Sequence, residues 1–280
     1  MTPGTGSDRS LESPNPINDD IRRRPLLAGA VVLLVGCLVP PCSSYARRYE
    51  FVEALQFSLL AAAVPALVVA GSPWRLLGLA ARRPPDGTRV DVAPGRRRLM
   101  DELAHGRRRH PGTLRSAVFG SLFLVVVTLW RIPPSVNALA RHPWLVGVEA
   151  VTLLVAGVGL WLELIESPPL SPRLSRPNRV ALAAVSMWVV WILAYLVGLS
   201  HGSWYVAYSH QPGQGFSLAA DQQLTTGTMW LAFGGAFIPV IFSNLIRWLQ
   251  SEEDPDEAMQ ALVRLERTRG RTWGGGQTSL

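Results

Sequence analysis

Lysine is absent from these 280 residues, and all 27 basic side chains are arginine. A Schiff-base lysine is therefore excluded as a catalytic group. Acids are few, and charged residues make up only 17% of the chain. There is no GxSxG, no HExxH, no Walker loop and no CxxC, so no nucleophile–base pair or mononucleotide cradle is visible and enzymatic function is not expected. No internal repeat is present. What the chain has instead is apolar length: 48% of it is hydrophobic, gathered into six stretches at about 26–42, 52–71, 116–132, 145–165, 180–199 and 224–249. Most approach the roughly 20 residues needed to cross about 30 Å of hydrocarbon.

The arginines between these stretches fall on alternate connections. One set comprises Arg22, Arg23 and Arg24 before the first stretch, a dense group from Arg75 to Arg109 in the second loop, Arg173 and Arg176 in the fourth, and Arg264, Arg267, Arg269 and Arg271 in the tail. The other connections hold only Arg47 and Arg48, then Arg141, then none between 200 and 223. Arginine marks the cytoplasmic side. The expectation is an all-α polytopic transmembrane bundle of six spans, N-inside and C-inside, in a bacterial plasma membrane. The net charge of +7 is explained by these loops and by anionic headgroups, so the bilayer is the expected partner and nucleic acid is not.

The expected organisation is a disordered tail over 1–24, rich in Pro, Ser, Gly, Asn and Asp, a six-helix domain over 25–250 with a large Arg-rich loop at 72–114, and a partly helical tail over 251–280. Cys37 and Cys42 sit at the outer end of the first stretch. They read as small apolar residues at a helix end, as part of a lipoprotein-type signal at Leu34-Val35-Gly36-Cys37, or as a soft Cu(I) ligand pair. A spacing of five is poor for one helical face.

Ionisable groups near apolar segments are costly unless paired or wet. Glu53 opens the second span, Arg131 closes the third, Glu149 lies one turn into the fourth, and Asp221 with Gln222 leads into the sixth. These five form a candidate polar cluster at the outer surface, set against the alternative of unrelated interfacial charges reaching water. Glu163 and Glu166 at the inner end of the fourth span are expected to be solvated. Trp204, Tyr205 and Tyr208 in the fifth loop are expected at the membrane interface. His142, His201 and His210 fall outside and, with the cysteines, are the candidate metal donors.

Four stretches together resemble the CtaG-type cytochrome c oxidase assembly factors, a family linked to copper delivery. They are Glu53-Ala54-Leu55-Gln56-Phe57 running to Pro65 and on to Gly71-Ser72-Pro73-Trp74, then Trp130-Arg131-Ile132-Pro133-Pro134, then His142-Pro143 through Glu149 to Gly157 and Trp161, and Asp221-Gln222-Gln223-Leu224 with Met229-Trp230. The resemblance spans about residues 26–250. It implies the family's fold and a role in oxidase biogenesis, with an oxidase subunit or a copper-donating protein as partner. The departures are as informative. Where the family pattern places histidines this chain has Glu53, Phe57, Arg131, Val146 and Ala150, although Glu149 is kept. Arginine stays protonated and Phe, Val and Ala offer no donor, so the family's copper role does not carry over to these positions and no cofactor is expected there. Glu53 and Arg131, of opposite sign, are instead expected to pair, with Glu149 sharing the site.

The function expected is a non-catalytic scaffold or chaperone for oxidase assembly. The alternatives are a copper-handling protein using Cys37, Cys42, His142, His201 and His210 as substitute ligands, a small-molecule or metal transporter with a polar outer vestibule, and a membrane-embedded enzyme.

Overall fold

A computed structural model describes residues 16–76, 112–167, 170, 172–199, 204–208, 215 and 217–252. The 72–114 loop beyond Leu76, the tail beyond Glu252, and both His201 and His210 lie outside these residues. Six long helices dominate: α1 (Pro16–Leu38), α3 (Glu50–Gly71), α5 (Gly112–Arg131), α7 (Leu145–Leu164), α8 (Arg176–Gly198) and α9 (Leu218–Glu252). Short helices α2 (Cys42–Ala46), α4 (Pro73–Leu76) and α6 (Pro133–Arg141), and a 3₁₀ turn at Val206–Tyr208, lie between them. No strand occurs among the described residues; Ser167 and Leu170 form a single isolated bridge.

Five of the long helices, all but α1, are long and apolar enough to cross a membrane. This is a multi-pass membrane protein. Its lipid-facing stripes are visible as exposed apolar residues at helical spacing, such as Val118, Leu122, Val125 and Leu129 on α5. Helix α1 falls short because Arg22, Arg23 and Arg24 interrupt it, leaving its apolar part to Pro25–Leu38. It starts at Pro16, within the tail expected to be disordered. A proline at the first helical position suits a helix N-terminus.

Side-chain contacts fix the direction of each helix. Arg23 near the start of α1 reaches Ser72 after the end of α3, while Cys37 near the end of α1 accepts from Gln56 in the first half of α3. Arg115 at the start of α5 meets Glu163 at the end of α7, and Arg131 at the end of α5 meets Glu53. Arg176 opening α8 donates to the Arg247 carbonyl late in α9. The six helices therefore alternate, with two polar ends that we name after Glu53 and Glu163. Packing runs along α8 with α9, α3 with α9, α1 with the second half of α3, and α5 with α7.

Helix α3 changes pitch in its middle. Pro65 removes the donor for the Ala61 carbonyl and its ring crowds that oxygen, and residues Leu59–Ala63 widen into a π turn in which the Val64 N–H reaches the Leu59 carbonyl. Ala61 faces α7 at Gly157. A Cβ there would lie 2.5 Å from Pro65 Cγ and 2.8 Å from the Ala61 oxygen. Only glycine lets α7 approach the bulge this closely, as small residues do elsewhere between membrane helices. Below that contact an aromatic core fills the centre, with Trp161 and Phe237 rings 4.7 Å apart and Phe123 and Phe233 beside Phe237.

The Glu163 end corrects one expectation. Glu163 is not solvated but fully buried. Arg115 grips it with Nε on Oε1 and Nη2 on Oε2, both at 2.9 Å, and Ser116 Oγ donates to Oε2 at 2.8 Å. Helix ends reach water only where no neighbour covers them, and here α5 does. Glu166 does remain half exposed, paired with Arg179 at 3.2 Å. Beside them Ser72 caps α3 in the left-handed region, at φ 49°. Its hydroxyl accepts from Arg23 at 2.6 Å and lies 2.7 Å from Ser167 Oγ, which donates to the Val69 carbonyl. Since a hydroxyl has one hydrogen, Ser167 must accept from Ser72, and the order Arg23, Ser72, Ser167, Val69 is set.

Candidate functional site

Three helix ends place the polar residues at the Glu53 end. Helix α5 stops at Arg131 because Pro133 and Pro134 follow; Ile132, before proline, is extended, and the prolines then open α6. Trp130 Nε1 donates to Thr152 Oγ1 at 2.9 Å, locking the end of α5 to α7. Helix α3 starts at Glu50 after an extended Tyr49 that gives no side-chain cap. The cap comes from another helix: Asp221 of α9 accepts from the Glu50 and Phe51 backbone N–H groups at 3.0 and 3.1 Å. A carboxylate on two free N–H groups at the positive end of a helix dipole is well satisfied. Asp221 thus joins α9 to α3 as a cap and does not enter the ion pair. Gln222 next to it is buried.

Arg131 Nη1 donates to Glu53 Oε2 at 2.5 Å, with both side chains buried. The guanidinium carbon lies 4.7 Å from the Phe57 ring centroid and 5.6 Å from that of Tyr205. Stacking of this kind accommodates a buried guanidinium without hydrogen bonds on its faces. The pair is nevertheless incompletely satisfied. Arg131 Nε and Nη2, Glu53 Oε1, Glu149 Oε1 and Glu50 Oε1 are buried without a hydrogen-bond partner. Glu149 is 3% exposed and makes no side-chain hydrogen bond or ion pair to a described residue. Buried polar groups are rarely left so.

The fifth loop reaches into this end. Tyr205 and Tyr208, expected at the membrane interface, turn their rings into the protein, where each hydroxyl finds a backbone acceptor: Tyr205 donates to the Arg131 carbonyl at 2.9 Å and Tyr208 to the Ala46 carbonyl at 3.0 Å. Burial pushes the Tyr205 phenol up to about 12 against the pull of Arg131, so it remains a donor. Asn137 on α6 holds the same loop by accepting from the Ala207 N–H at 2.9 Å.

Between α2, α3, α6 and α7 lies a cavity of about 170 Å³. Glu53, Gln56, Glu149 and Tyr208 line it, with Ser43 and an exposed Arg47 also contributing and with Leu38, Leu139, Pro143 and Val146 among its apolar walls. Val146, Glu53 and Glu149 thus share one space. Of the candidate metal donors, Cys37 is buried and free, Cys42 is half-buried and free, and His142 is exposed at the end of α6. Burial raises the Cys42 thiol above its ordinary value, away from the thiolate form that binds metals. Among the described residues no three His, Cys, Asp or Glu side chains converge to hold a metal ion.

Sequence reading missed the partner of Glu163, the burial of Glu50 and the capping role of Asp221. Arg115 and Glu163 carried a usable signal: opposite charges at the same depth on antiparallel neighbouring spans.

No curated protein and no solved structure matches the chain. The model of the cytochrome c oxidase caa3 assembly factor family matches residues 20–251, which is nearly the whole helical region from α1 to α9. The chain belongs to the cytochrome c oxidase caa3 assembly factor family.

Proposed function

We propose that this protein is a non-catalytic scaffold for assembly of the respiratory oxidase, held in a bacterial plasma membrane by six spans with both termini in the cytoplasm. The observation that carries the reading is that the family match and the helical bundle cover the same residues. The sixth span is α1. From Arg23 to Cys37 it advances about 21 Å along α3, and α2 and the Pro40-Pro41 turn continue it at the Glu53 end. The alternation of helix direction puts Arg23, Arg173, Arg176 and Arg247 at the Glu163 end, which the arginine bias makes cytoplasmic. Reporter fusions at Gly87 and Thr268 should read cytoplasmic and one at Gly213 external; a cytoplasmic signal at Gly213 overturns the six-span count.

The same reading assigns no copper to the Glu53 end. Cu(I) takes sulfur and imidazole, whereas the positions resembling the family's histidines hold carboxylate, phenyl, guanidinium and aliphatic groups. An ion pair joins α3 to α5 there. Client binding, through the outer surface and the lipid-facing stripes, is the role that remains. The test is a deletion strain scored for assembled oxidase and for its haem and copper spectra, with and without added copper. Lost oxidase with little copper rescue supports a scaffold. Substantial rescue supports copper handling, and an intact oxidase with a substrate-dependent defect supports a transporter.

A further inference from the structure

The cavity at the Glu53 end carries more information than the ion pair beside it. Its polar lining is rich in acceptors. Glu149 has a carboxylate with no partner among the described residues, and Glu53 uses one oxygen on Arg131 and leaves the other unpaired. Gln56 gives one amide hydrogen to the Cys37 carbonyl and keeps its own carbonyl oxygen as an acceptor, and Tyr208 spends its hydrogen on Ala46 and keeps its lone pairs. Glu53 and Glu149 are more than nine-tenths buried and both line the cavity. Among the described residues the buried cation beside the cavity is Arg131, which does not line it and gives its Nη1 to Glu53; Arg47, which does line it, is exposed and screened by water. Arg131 attracts Glu149 as well as Glu53, but one guanidinium cannot balance two buried carboxylates, and its hydrogen bond goes to Glu53 alone.

The walls decide which cation suits. Leu38, Ala46, Leu139, Ala140, Pro143 and Val146 supply half of the lining. A hard metal ion takes six to eight oxygen ligands or near-ideal octahedral oxygens and gains nothing from such walls. A cation with an apolar stem buries the stem and presents three N–H donors to the acceptors at its head. The volume of about 170 Å³ holds such a stem or several waters.

We propose that this cavity is a receptor for one primary ammonium on an alkyl stem, with Glu149 as its counter-ion and Glu53, Gln56 and Tyr208 as further acceptors. The chain has no lysine, so no side chain of its own can supply that group. A free alkylamine and a lysine of another protein share the chemistry. That the lysine belongs to an oxidase subunit rests on the scaffold reading; the binding itself does not.

The test uses the full chain, purified in lipid nanodiscs. Thermal unfolding is followed against Nα-acetyl-lysine methylamide, its neutral isostere Nα-acetyl-norleucine methylamide, sodium chloride and magnesium chloride. A saturable rise in Tm with the lysine amide alone supports the proposal. Glu149→Gln should weaken that binding about tenfold or more, the factor for losing a charged hydrogen-bond partner. Val146→Trp, which fills the cavity and leaves every carboxylate in place, should abolish it. Equal stabilisation by the norleucine amide, stabilisation by the salts alone, binding unchanged in both variants, or no binding overturns it.

A second arm separates the sources. Carbodiimide treatment of native membranes joins a carboxylate to a nearby amine. An isopeptide bond from Glu149 or Glu53 to an identified lysine, lost in Glu149→Gln and Glu53→Gln, assigns the site to a protein partner. Amine binding in nanodiscs with no such bond assigns it to free amines. An intact oxidase in the deletion strain would sink the scaffold reading while leaving the nanodisc result standing.

Discussion

Glu53→Gln, Arg131→Gln and the double variant form a cycle whose outcome follows from the geometry. The pair is buried, with Arg131 3% and Glu53 6% exposed, so the small energies of surface ion pairs do not apply. Breaking a buried pair costs about 3–5 kcal/mol, mostly because one charge is left uncompensated. The two single changes should fall at opposite ends of that range. Glu53→Gln keeps an acceptor for Arg131 Nη1 and leaves Glu149 as a neighbouring negative charge, so about 3 kcal/mol is expected. Arg131→Gln removes the cation among Glu50, Glu53 and Glu149 and the stack on Phe57, so about 5 kcal/mol is expected. Simple addition would then give about 8 kcal/mol. The double variant places two neutral amides side by side and should cost no more than about 5, a coupling of about 3 kcal/mol. Denaturant or thermal unfolding of each variant in the same detergent measures the cycle. A double variant within about 0.5 kcal/mol of the sum means that the two side chains act independently, and the reasoning fails.

At the opposite end, Glu163→Gln should lower stability by about 3–5 kcal/mol, and Arg115→Lys should recover only part, since an ammonium cannot match the two-pronged grip on both oxygens; unfolding in detergent reads both. Asp221→Ala should cost about 0.5–2 kcal/mol by uncapping α3, with hydrogen exchange accelerated at the Glu50 and Phe51 amides and unchanged late in α3. Gly157→Ala should cost about 1–3 kcal/mol through overpacking against Pro65 and the Ala61 carbonyl, whereas the same change at Gly147, where no atom lies within 4 Å of an added Cβ, should be nearly silent.

What the sequence by itself determined is the one-dimensional part. Apolar length and the alternation of arginines depend only on local composition, and each expected stretch from the second to the sixth coincides with a long helix to within six residues at either end. Pro133 and Pro134 announced the end of α5, and the signs of Glu53 and Arg131 made them candidate partners. Depth and facing are different matters. Glu163 and Glu149 look alike along the chain, each near an end of the same helix. In the fold, Arg115 and Ser116 of α5 saturate Glu163, while Glu149 faces a cavity in which no described residue donates to it. The expected tyrosine belt turned inward because the Arg131 and Ala46 carbonyls offered acceptors that no local pattern announces. Asp221 became a cap because α9 begins beside the uncapped start of α3, some 170 residues away in sequence. Such pairings are decided only when helices distant in sequence pack together, because a buried polar group takes whichever partner the neighbouring helix brings within hydrogen-bond reach.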